Sequence, residues 1–200
     1  MLRADFFARF GMLVVDRFLD EATCARLRRE VRLAAHTRAA VWRDDGYSVV
    51  DPKARRTTRA EVPDAVRSLV ECRLIALKPR LERHFSLGLR GIQKPQFLIY
   101  RPGDFFECHS DDNPEPGAPD YLRERRVSAV IFLNGAGAKR GAAAGGSLTF
   151  PGLIRDPRLA RCGFPVLGQA GLLIAFRSNL AHAVSPVTRG ARYTVVTWFV

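Results

Sequence analysis

Residues 100–111 read YRPGDFFECHSD, and this stretch ends in a histidine and an aspartate two positions apart, His109 and Asp111. On an extended strand, side chains at positions i and i+2 leave the same face, about 7 Å apart at the backbone. Their polar tips can therefore converge on one small cation. An imidazole with a carboxylate suits a divalent first-row metal, and such a pair needs a third ligand from elsewhere in the chain.

His182 is the candidate for that third ligand. His36 and His84 have no partner at ligand spacing, and we interpret both as ordinary helix-surface residues. Arg192 follows His182 by ten positions and opens the last β-prone segment. Two histidines and one aspartate leave up to three positions open on an iron ion, enough for a bidentate 2-oxo acid and O₂. A buried guanidinium such as that of Arg192 can hold the second carboxylate of the 2-oxo acid.

Each of these residues also has an ordinary structural interpretation. Asp111 precedes Asp112 and Asn113, so it could form a turn at the end of a strand. His182 alone could be a hydrogen-bonded core histidine, and Arg192 could pair with a carboxylate on a neighbouring strand. Each alternative can account for its own residue, but together they do not explain the order and spacing of the whole set.

Length and composition are typical of one soluble globular domain, with 200 residues, 47% hydrophobic and 26% charged. No window approaches 18 uninterrupted apolar residues, and the first residues lack the profile of a secretory signal, so we expect no membrane association. The cysteines are scattered, which predicts free thiols in a reducing compartment and makes the cytoplasm the expected location. These cysteines are Cys24, Cys72, Cys108 and Cys162.

The formal net charge of +12 is large for this length and could indicate an anionic partner such as nucleic acid or an acidic protein. The alternative is a compositional bias, because the chain is rich in arginine and alanine. The basic residues are dispersed, without a dense run or interleaved aromatic residues. Nucleic acid is therefore the less favoured partner, and nothing in the sequence sets the oligomeric state.

The first half of the chain predicts two helices. A short strand near residues 13–19 precedes a helix capped by Asp20 and running to about Ala35. A second helix is predicted over residues 63–85, and Pro79 inside it predicts a kink or a break. Residues 38–62 are polar, include two short candidate strands, and form a candidate substrate-side loop.

From Gln93 onward, β-prone runs alternate with turn residues. Residues 113–125 form a second candidate substrate loop, rich in proline, and residues 135–146 form a predicted mobile loop rich in glycine and alanine. Helices first and strands afterwards predict an α+β fold with helices packed on a β-sandwich or barrel.

Residues 93–200 resemble the Fe(II)/2-oxoglutarate dioxygenases of the prolyl 4-hydroxylase-like superfamily. The resemblance rests on an ordered set of motifs rather than on the metal pair alone. They are YxxGxxFxxHxD at 100–111, the strand that follows Arg126 and ends in LN at 133–134, GGSLTFP at 145–151, and the block of His182, PV at 186–187, Gly190 and Arg192-Tyr193.

The resemblance implies a double-stranded β-helix (jelly-roll) core with supporting N-terminal helices. It implies one dioxygenase domain over residues 1–200, with helical support and substrate loops in 1–92 and the catalytic core in 93–200. His109, Asp111 and His182 would then ligate Fe(II), and no catalytic group beyond these ligands is expected. Arg192 would bind the distal carboxylate of 2-oxoglutarate, and Tyr100 would contact the same co-substrate.

The implied reaction is hydroxylation of a C–H bond at the cost of 2-oxoglutarate and O₂, with succinate and CO₂ released and ascorbate as a candidate additional reductant. Because Asp111 is retained, hydroxylation is favoured over halogenation. An arginine at position 192 points to the oxygen-sensor-like or bacterial branch. Phe132 stands where many relatives have a tyrosine, so one hydrogen bond to the co-substrate is expected to be missing or supplied by another group.

The expected substrate is a protein side chain, prolyl among the candidates, or a small molecule. A nucleic-acid demethylase of the same chemistry is an alternative that the charge favours. Such enzymes typically carry an arginine six positions after Arg192, and Trp198 stands there instead. A non-catalytic metal-binding module on the same fold is the other alternative, and it would predict loss of a ligand or of Arg192.

Overall fold

The structure is a computed structural model that describes residues 4–42, 48–137, 141–154 and 163–200. The expected free thiol at Cys162 lies outside the described residues. Within them the chain forms four α-helices, two of which are long enough to cover a sheet. The helices are α1 (Ala4–Ala8), α2 (Glu21–Leu33), α3 (Asp64–Phe85) and α4 (Asp120–Arg123).

Two antiparallel sheets carry most of the strands. The major sheet has the order β1-β13-β9-β16-β7-β6-β2 and the minor sheet the order β12-β11-β14-β8-β5. The major strands are β1 (Leu13–Val15), β2 (Ala35–Arg38), β6 (Thr58–Glu61), β7 (Gln96–Tyr100), β9 (Val127–Phe132), β13 (Leu173–Arg177) and β16 (Arg192–Phe199). The minor strands are β5 (Arg55–Arg56), β8 (Phe105–His109), β11 (Leu148–Phe150), β12 (Phe164–Val166) and β14 (His182–Val184). Two smaller pairs are β3 (Val41–Trp42) with β4 (Ser48–Val49), and β10 (Ala144–Gly145) with β15 (Val187–Arg189).

The central strand β9 shows how the layers are arranged. All six of its residues are buried, because β13 and β16 pair with its two edges and both of its faces are covered. Side chains alternate between faces along a strand. Val127, Ala129 and Ile131 belong to the core cluster shared with the helices, whereas Val130 and Phe132 belong to the cluster shared with the minor sheet. The major sheet is thus the middle layer of three.

The helical layer begins as the sequence predicts. The backbone N–H of Thr23 donates to the Asp20 carboxylate at 2.7 Å, which caps α2. In α3 the residues Val66, Val70, Leu74, Leu77 and Leu81 are buried at helical spacing. These apolar stripes cover the outer face of the major sheet.

The expected break at Pro79 is absent from α3, which continues from Asp64 to Phe85. A proline removes the hydrogen bond to the carbonyl four residues earlier, here that of Ile75. Both Pro79 and Ile75 lie on the exposed side of the helix, with Ile75 55% exposed. Water can reach the released carbonyl, so the buried stripe does not need to be interrupted.

Residues before Gln93 contribute more strands than the sequence predicts. The two short candidate strands in the 38–62 loop correspond to β3 and β4, although Tyr47 lies outside the described residues. In addition β2 and β6 extend the major sheet and β5 extends the minor one. His36 was therefore misassigned, because it lies on β2 and not on a helix, with its Nε2 2.8 Å from the Val31 carbonyl. In the part of the chain that the structure describes, no helix combines the length and apolar character required to cross a bilayer.

Candidate metal centre

The minor sheet brings the sequence-predicted ligands together. Strands β8 and β14 are antiparallel neighbours in which His109 lies directly opposite His182, and the two imidazole rings are 4.3 Å apart. Asp111 leaves the end of β8, and its backbone N–H donates to the Ser178 carbonyl at 2.8 Å. This bond holds the aspartate beside the start of β14. One face of the sheet therefore carries all three side chains.

The donor atoms point at one another. Asp111 Oδ2 is 3.4 Å from Nε2 of His182, and Asp111 Oδ1 is 3.7 Å from Nε2 of His109. All three candidate ligand atoms lie within 4.8 Å of one another. Asp111 and His182 are buried, and His109 is partly buried. Two imidazole nitrogens and one carboxylate on the same side suit a non-haem iron(II) ion with open positions.

The backbone sets the orientation of both imidazoles. Nδ1 of His109 lies 2.7 Å from the Glu107 carbonyl, and Nδ1 of His182 lies 2.8 Å from the Leu180 carbonyl. A carbonyl can only accept, so each Nδ1 carries the proton and each Nε2 keeps a lone pair for a metal. The same tautomer is presented at both positions without any side-chain partner.

Charge at the cluster also suits a cation. Burial lowers the pKa of His182 to about 4, so this imidazole is neutral at pH 7. Burial alone would raise the pKa of the Asp111 carboxyl, but the two neighbouring imidazoles outweigh it and hold that pKa well below its usual range. At neutral pH the cluster therefore places an anionic carboxylate beside the neutral imidazole of His182.

Arg192 lies deep in the same cavity. It opens β16 directly opposite Tyr100 on β7, and both residues are buried. Its guanidinium carbon is 4.9 Å from the Tyr100 ring and 5.2 Å from the Phe132 ring. Burial lowers the pKa of Arg192, and Tyr100 opposes that shift. Phe132 provides a ring against the guanidinium but no hydroxyl, as its identity predicts.

The guanidinium of Arg192 has no carboxylate within 4.0 Å among the described residues, and its Nε has no hydrogen-bond partner. Its polar contacts are to uncharged groups, the hydroxyl of Tyr100 and, at 3.4 Å from a terminal nitrogen, Thr194 Oγ1. A buried cation without a counter-ion costs several kcal/mol. An anion that enters the cavity would remove this cost, so the site fits a ligand with a carboxylate.

Gly146 makes room for that arginine. Its φ is +63°, and an added Cβ would lie 2.7 Å from Val187 Cγ2 and 3.1 Å from Arg192 Cδ. The preceding Gly145 is equally restricted, because its Cβ would lie 2.2 Å from the Pro186 carbonyl oxygen. The double glycine that contributed to the sequence resemblance thus lets the 145–146 segment pass against the arginine side chain.

The candidate ligands and Arg192 line one open cavity of about 1140 Å³. Such a volume can hold a small co-substrate together with part of a larger substrate. Both predicted substrate loops contribute to its wall, the first through residues 38–42, 48, 51, 54, 55 and 59 and the second through residues 113–115, 121, 122 and 125. Cys108, one of the predicted free thiols, is exposed and also lines the cavity.

Two further wall residues were not predicted. Arg125 is buried, its terminal nitrogen donates to the Asp111 carbonyl at 2.9 Å, and its guanidinium carbon is 3.5 Å from the Trp198 ring. Trp198 is buried and lines the cavity, and its Nε1 has no hydrogen-bond partner. The sequence motif highlighted the neighbouring Arg126, which is exposed. The sequence distinguishes Arg125 only as one of two adjacent arginines.

Comparison with known proteins agrees with this geometry. The family model described as the 2OG-Fe(II) oxygenase superfamily matches residues 95–200, more than half of the chain. The chain belongs to this superfamily. Iron(II) and 2-oxoglutarate are the cofactor and co-substrate that define the family, and the donor set formed by the two histidines and the aspartate fits the iron.

A curated relative and several solved structures extend the comparison. A PKHD-type hydroxylase from Cupriavidus metallidurans is 26% identical over 162 residues, which cover 78% of this chain and 66% of the relative. A prolyl-4-hydroxylase from Pseudomonas putida superposes with a TM-score of 0.68 at 24% identity, covering 98% of this chain and 95% of that one.

A prolyl hydroxylase from Trichoplax adhaerens, in complex with a peptide fragment of the hypoxia inducible factor oxygen degradation domain, superposes with a TM-score of 0.67 at 17% identity. HygX from Streptomyces hygroscopicus, with nickel, 2-oxoglutarate and hygromycin B bound, gives 0.63 at 15% identity. The matches cover 98% and 100% of this chain and 86% of each of those two chains. They confirm the α+β fold with a double-stranded β-helix core.

Proposed function

We propose that this protein is an Fe(II)- and 2-oxoglutarate-dependent dioxygenase that hydroxylates a C–H bond. One observation carries the proposal. The cavity holds both a cluster of two imidazoles with one carboxylate and a buried guanidinium that has no carboxylate within 4.0 Å among the described residues. A 2-oxo dicarboxylic acid matches both, because one end can chelate a metal while the other pairs with the cation.

In this proposal His109, Asp111 and His182 hold the iron, and Arg192 holds the distal carboxylate of 2-oxoglutarate. Together the bound iron, 2-oxoglutarate and O₂ supply the oxidation and yield succinate and CO₂. Tyr100 and Phe132 flank the guanidinium and limit its movement, which keeps the co-substrate in one orientation. The apolar ring of Phe132 also keeps water away from the ion pair, which strengthens it.

The protein's own task is to position the substrate and to shield the iron from solvent. We propose a protein side chain, prolyl among the candidates, or a small molecule as the substrate. The cavity is open and is lined by rings and arginines, which suits a residue on a peptide or a polar metabolite. Trp198 offers a flat apolar wall near the metal.

A nucleic-acid demethylase is less well supported. The net charge of +12 favours it, but Trp198 stands where those enzymes typically have an arginine. A non-catalytic module is also disfavoured, because the candidate ligands and Arg192 are all present and share one cavity. We further propose a cytoplasmic location, since Cys24, Cys72 and Cys108 are free thiols.

The test is consumption of 2-oxoglutarate without an added substrate. Purified protein with Fe(II), ascorbate and 2-oxoglutarate should form succinate slowly, and His109→Ala or Asp111→Ala should abolish this turnover. The matched control is His36→Ala, which removes a histidine on β2, a strand of the other sheet. It should leave the rate within about twofold of the wild type, as expected for a surface substitution. If the wild type binds neither iron nor 2-oxoglutarate, the proposal is wrong.

A further inference from the structure

Arg55 is held over the cavity by a stack of rings. It lies on β5, paired with Phe106 on β8, and its guanidinium carbon is 4.5 Å from the centre of the Phe106 ring. Phe106 in turn stacks on the imidazole of His109, with ring centres 3.6 Å apart and planes inclined by 22°. A single aromatic ring therefore separates this cation from a candidate metal ligand.

The guanidinium of Arg55 is poorly satisfied by the protein. One terminal nitrogen donates to the Ala40 carbonyl at 3.3 Å, while the buried Nε has no hydrogen-bond partner. No carboxylate of the described residues lies within 4.0 Å of it. A buried donor without a partner is costly, and a ligand that accepts a hydrogen bond from it would remove that cost.

Arg125 is a second cation on the wall of the same cavity. It is 8% exposed and, in the described chain, has no carboxylate within 4.0 Å. Its hydrogen bonds go to uncharged acceptors, the Asp111 carbonyl and the Gln93 side chain. Burial lowers the pKa of Arg125 to about 10, the nearby Asp111 carboxylate opposes this shift, and the charge of Arg55 adds to it.

We propose that Arg55 and Arg125 bind a carboxylate group of the substrate at the mouth of the iron cavity. This inference rests on the proposed function and deepens it by naming the substrate class as anionic. The guanidiniums of Arg55 and Arg125 line one cavity and repel each other, and a carboxylate bound between them would offset that repulsion. Arg192 lies apart from this pair, between Tyr100 and Phe132, and is assigned to 2-oxoglutarate.

A carboxylate fits better than a phosphate. The cavity wall also carries several carboxylates, among them those of Glu107, Asp112 and Glu115, which add negative charge to the cavity. A phosphate monoester brings almost two negative charges at neutral pH, whereas a carboxylate brings one. The same three acidic groups repel the extra charge.

The test observes the arginine side chains directly. Protein labelled with ¹⁵N-arginine and loaded with Zn(II) and saturating 2-oxoglutarate is titrated with N-acetyl-glutamate α-amide, with its neutral analogue N-acetyl-glutamine α-amide, and with methyl phosphate. We expect the carboxylate probe to cause saturable shifts of the Nε–H signals of Arg55 and Arg125, and the neutral amide to cause none. Methyl phosphate should cause none either, or should bind at least fivefold more weakly than the carboxylate probe. Arg55→Gln should weaken binding of the carboxylate probe at least fivefold.

The matched control is Arg56→Gln, the other residue of β5. Arg56 is exposed, lies near Phe105 and does not line the cavity, so this variant should bind the probe like the wild type. Equal shifts with the neutral amide, shifts of Arg192 alone, tighter binding of methyl phosphate, or no saturable shift in the wild type would each overturn the inference. If Arg55→Gln does not fold, the wild-type titration decides. Succinate formation without substrate tests the proposed function separately, because it does not involve the probe.

Discussion

Replacing Gly146 by alanine should weaken 2-oxoglutarate binding through a residue that does not touch the co-substrate. The new methyl group would lie 2.7 Å from Val187 Cγ2 and 3.1 Å from Arg192 Cδ. Both contacts are too short, so Val187 or the stem of Arg192 must move. The φ of +63° adds a backbone cost of about 1–2 kcal/mol to the folded protein.

The magnitude follows from the hydrogen bonds that Arg192 would make. A displaced guanidinium loses one of two parallel bonds to a carboxylate, and a hydrogen bond to a charged group contributes about 1.5–3 kcal/mol. At 1.4 kcal/mol per factor of ten, the dissociation constant of 2-oxoglutarate should rise about 10- to 150-fold. Calorimetric titration of the anaerobic Fe(II) protein measures it, while affinity for iron should stay the same.

Gly152→Ala is the matched control for Gly146→Ala. Gly152 has a φ of +71°, but an added Cβ there would meet nothing within 4 Å. Both variants therefore incur the same backbone cost, and only Gly146→Ala disturbs Arg192. We expect Gly152→Ala to lower the melting temperature while its 2-oxoglutarate affinity stays within about twofold of the wild type. Equal affinities in the two variants would refute the role assigned to Gly146.

Three further predictions test the ligand set and the core. Arg192→Gln should raise the dissociation constant of 2-oxoglutarate about 30- to 4,000-fold, the equivalent of about 2–5 kcal/mol for a buried charge pair, and an unchanged constant would contradict its role. Fe(II) at about 100 times its dissociation constant should stabilise the wild type by about 2.7 kcal/mol in thermal unfolding. The Asp111→Asn variant should lose this stabilisation if Asp111 is a metal ligand, and should keep it if Asp111 only forms a turn. Leu74→Ala, at a fully buried position of α3, should lower the free energy of unfolding in urea by about 2–5 kcal/mol. The exposed Ile75→Ala on the same helix should change it by less than about 0.5 kcal/mol, and similar losses for both would contradict the buried stripe.

The metal cluster was accessible from the sequence because two simple regularities produce it. Asp111 follows the last residue of β8 by two positions and lies on the same side as His109, and the antiparallel pairing of β8 with β14 brings His182 opposite His109. The sequence order suggests the partner but not the register, which depends on how the two strands align. The assignment of these residues as iron ligands stays a prediction, supported by their distances and tautomers.

The strands before Gln93 could not be predicted from an alternation of side chains. Every residue of β2 is exposed, and β5 consists of two arginines, so neither carries an apolar alternation. In β6 the buried positions are Thr58 and Ala60, which are small or polar. Such strands form because a neighbouring strand offers unpaired backbone groups, and their own side chains contain little information about it.

Arg125 illustrates a different limit of sequence reasoning. It and Arg126 are adjacent and chemically identical, yet Arg125 is buried in the cavity and Arg126 is exposed. The difference arises where the chain leaves α4 and enters β9, a connection of three residues whose path decides which side chain turns inward. Local composition does not distinguish two such neighbours, whereas the contacts of Arg125 with Trp198 and the Asp111 carbonyl do.

The N-terminal segment is part of the site and not only its support. The family match begins at residue 95, but β6 pairs with β7, the strand that carries Tyr100, and the hydroxyl of Thr57 donates to the Ile99 carbonyl at 3.1 Å. Strand β5 likewise covers the edge of β8 and supplies Arg55. A chain without these strands would leave one edge of each sheet unpaired and one side of the cavity open to water. In the proposed function, the strands before Gln93 therefore help to shield the iron and to select the substrate.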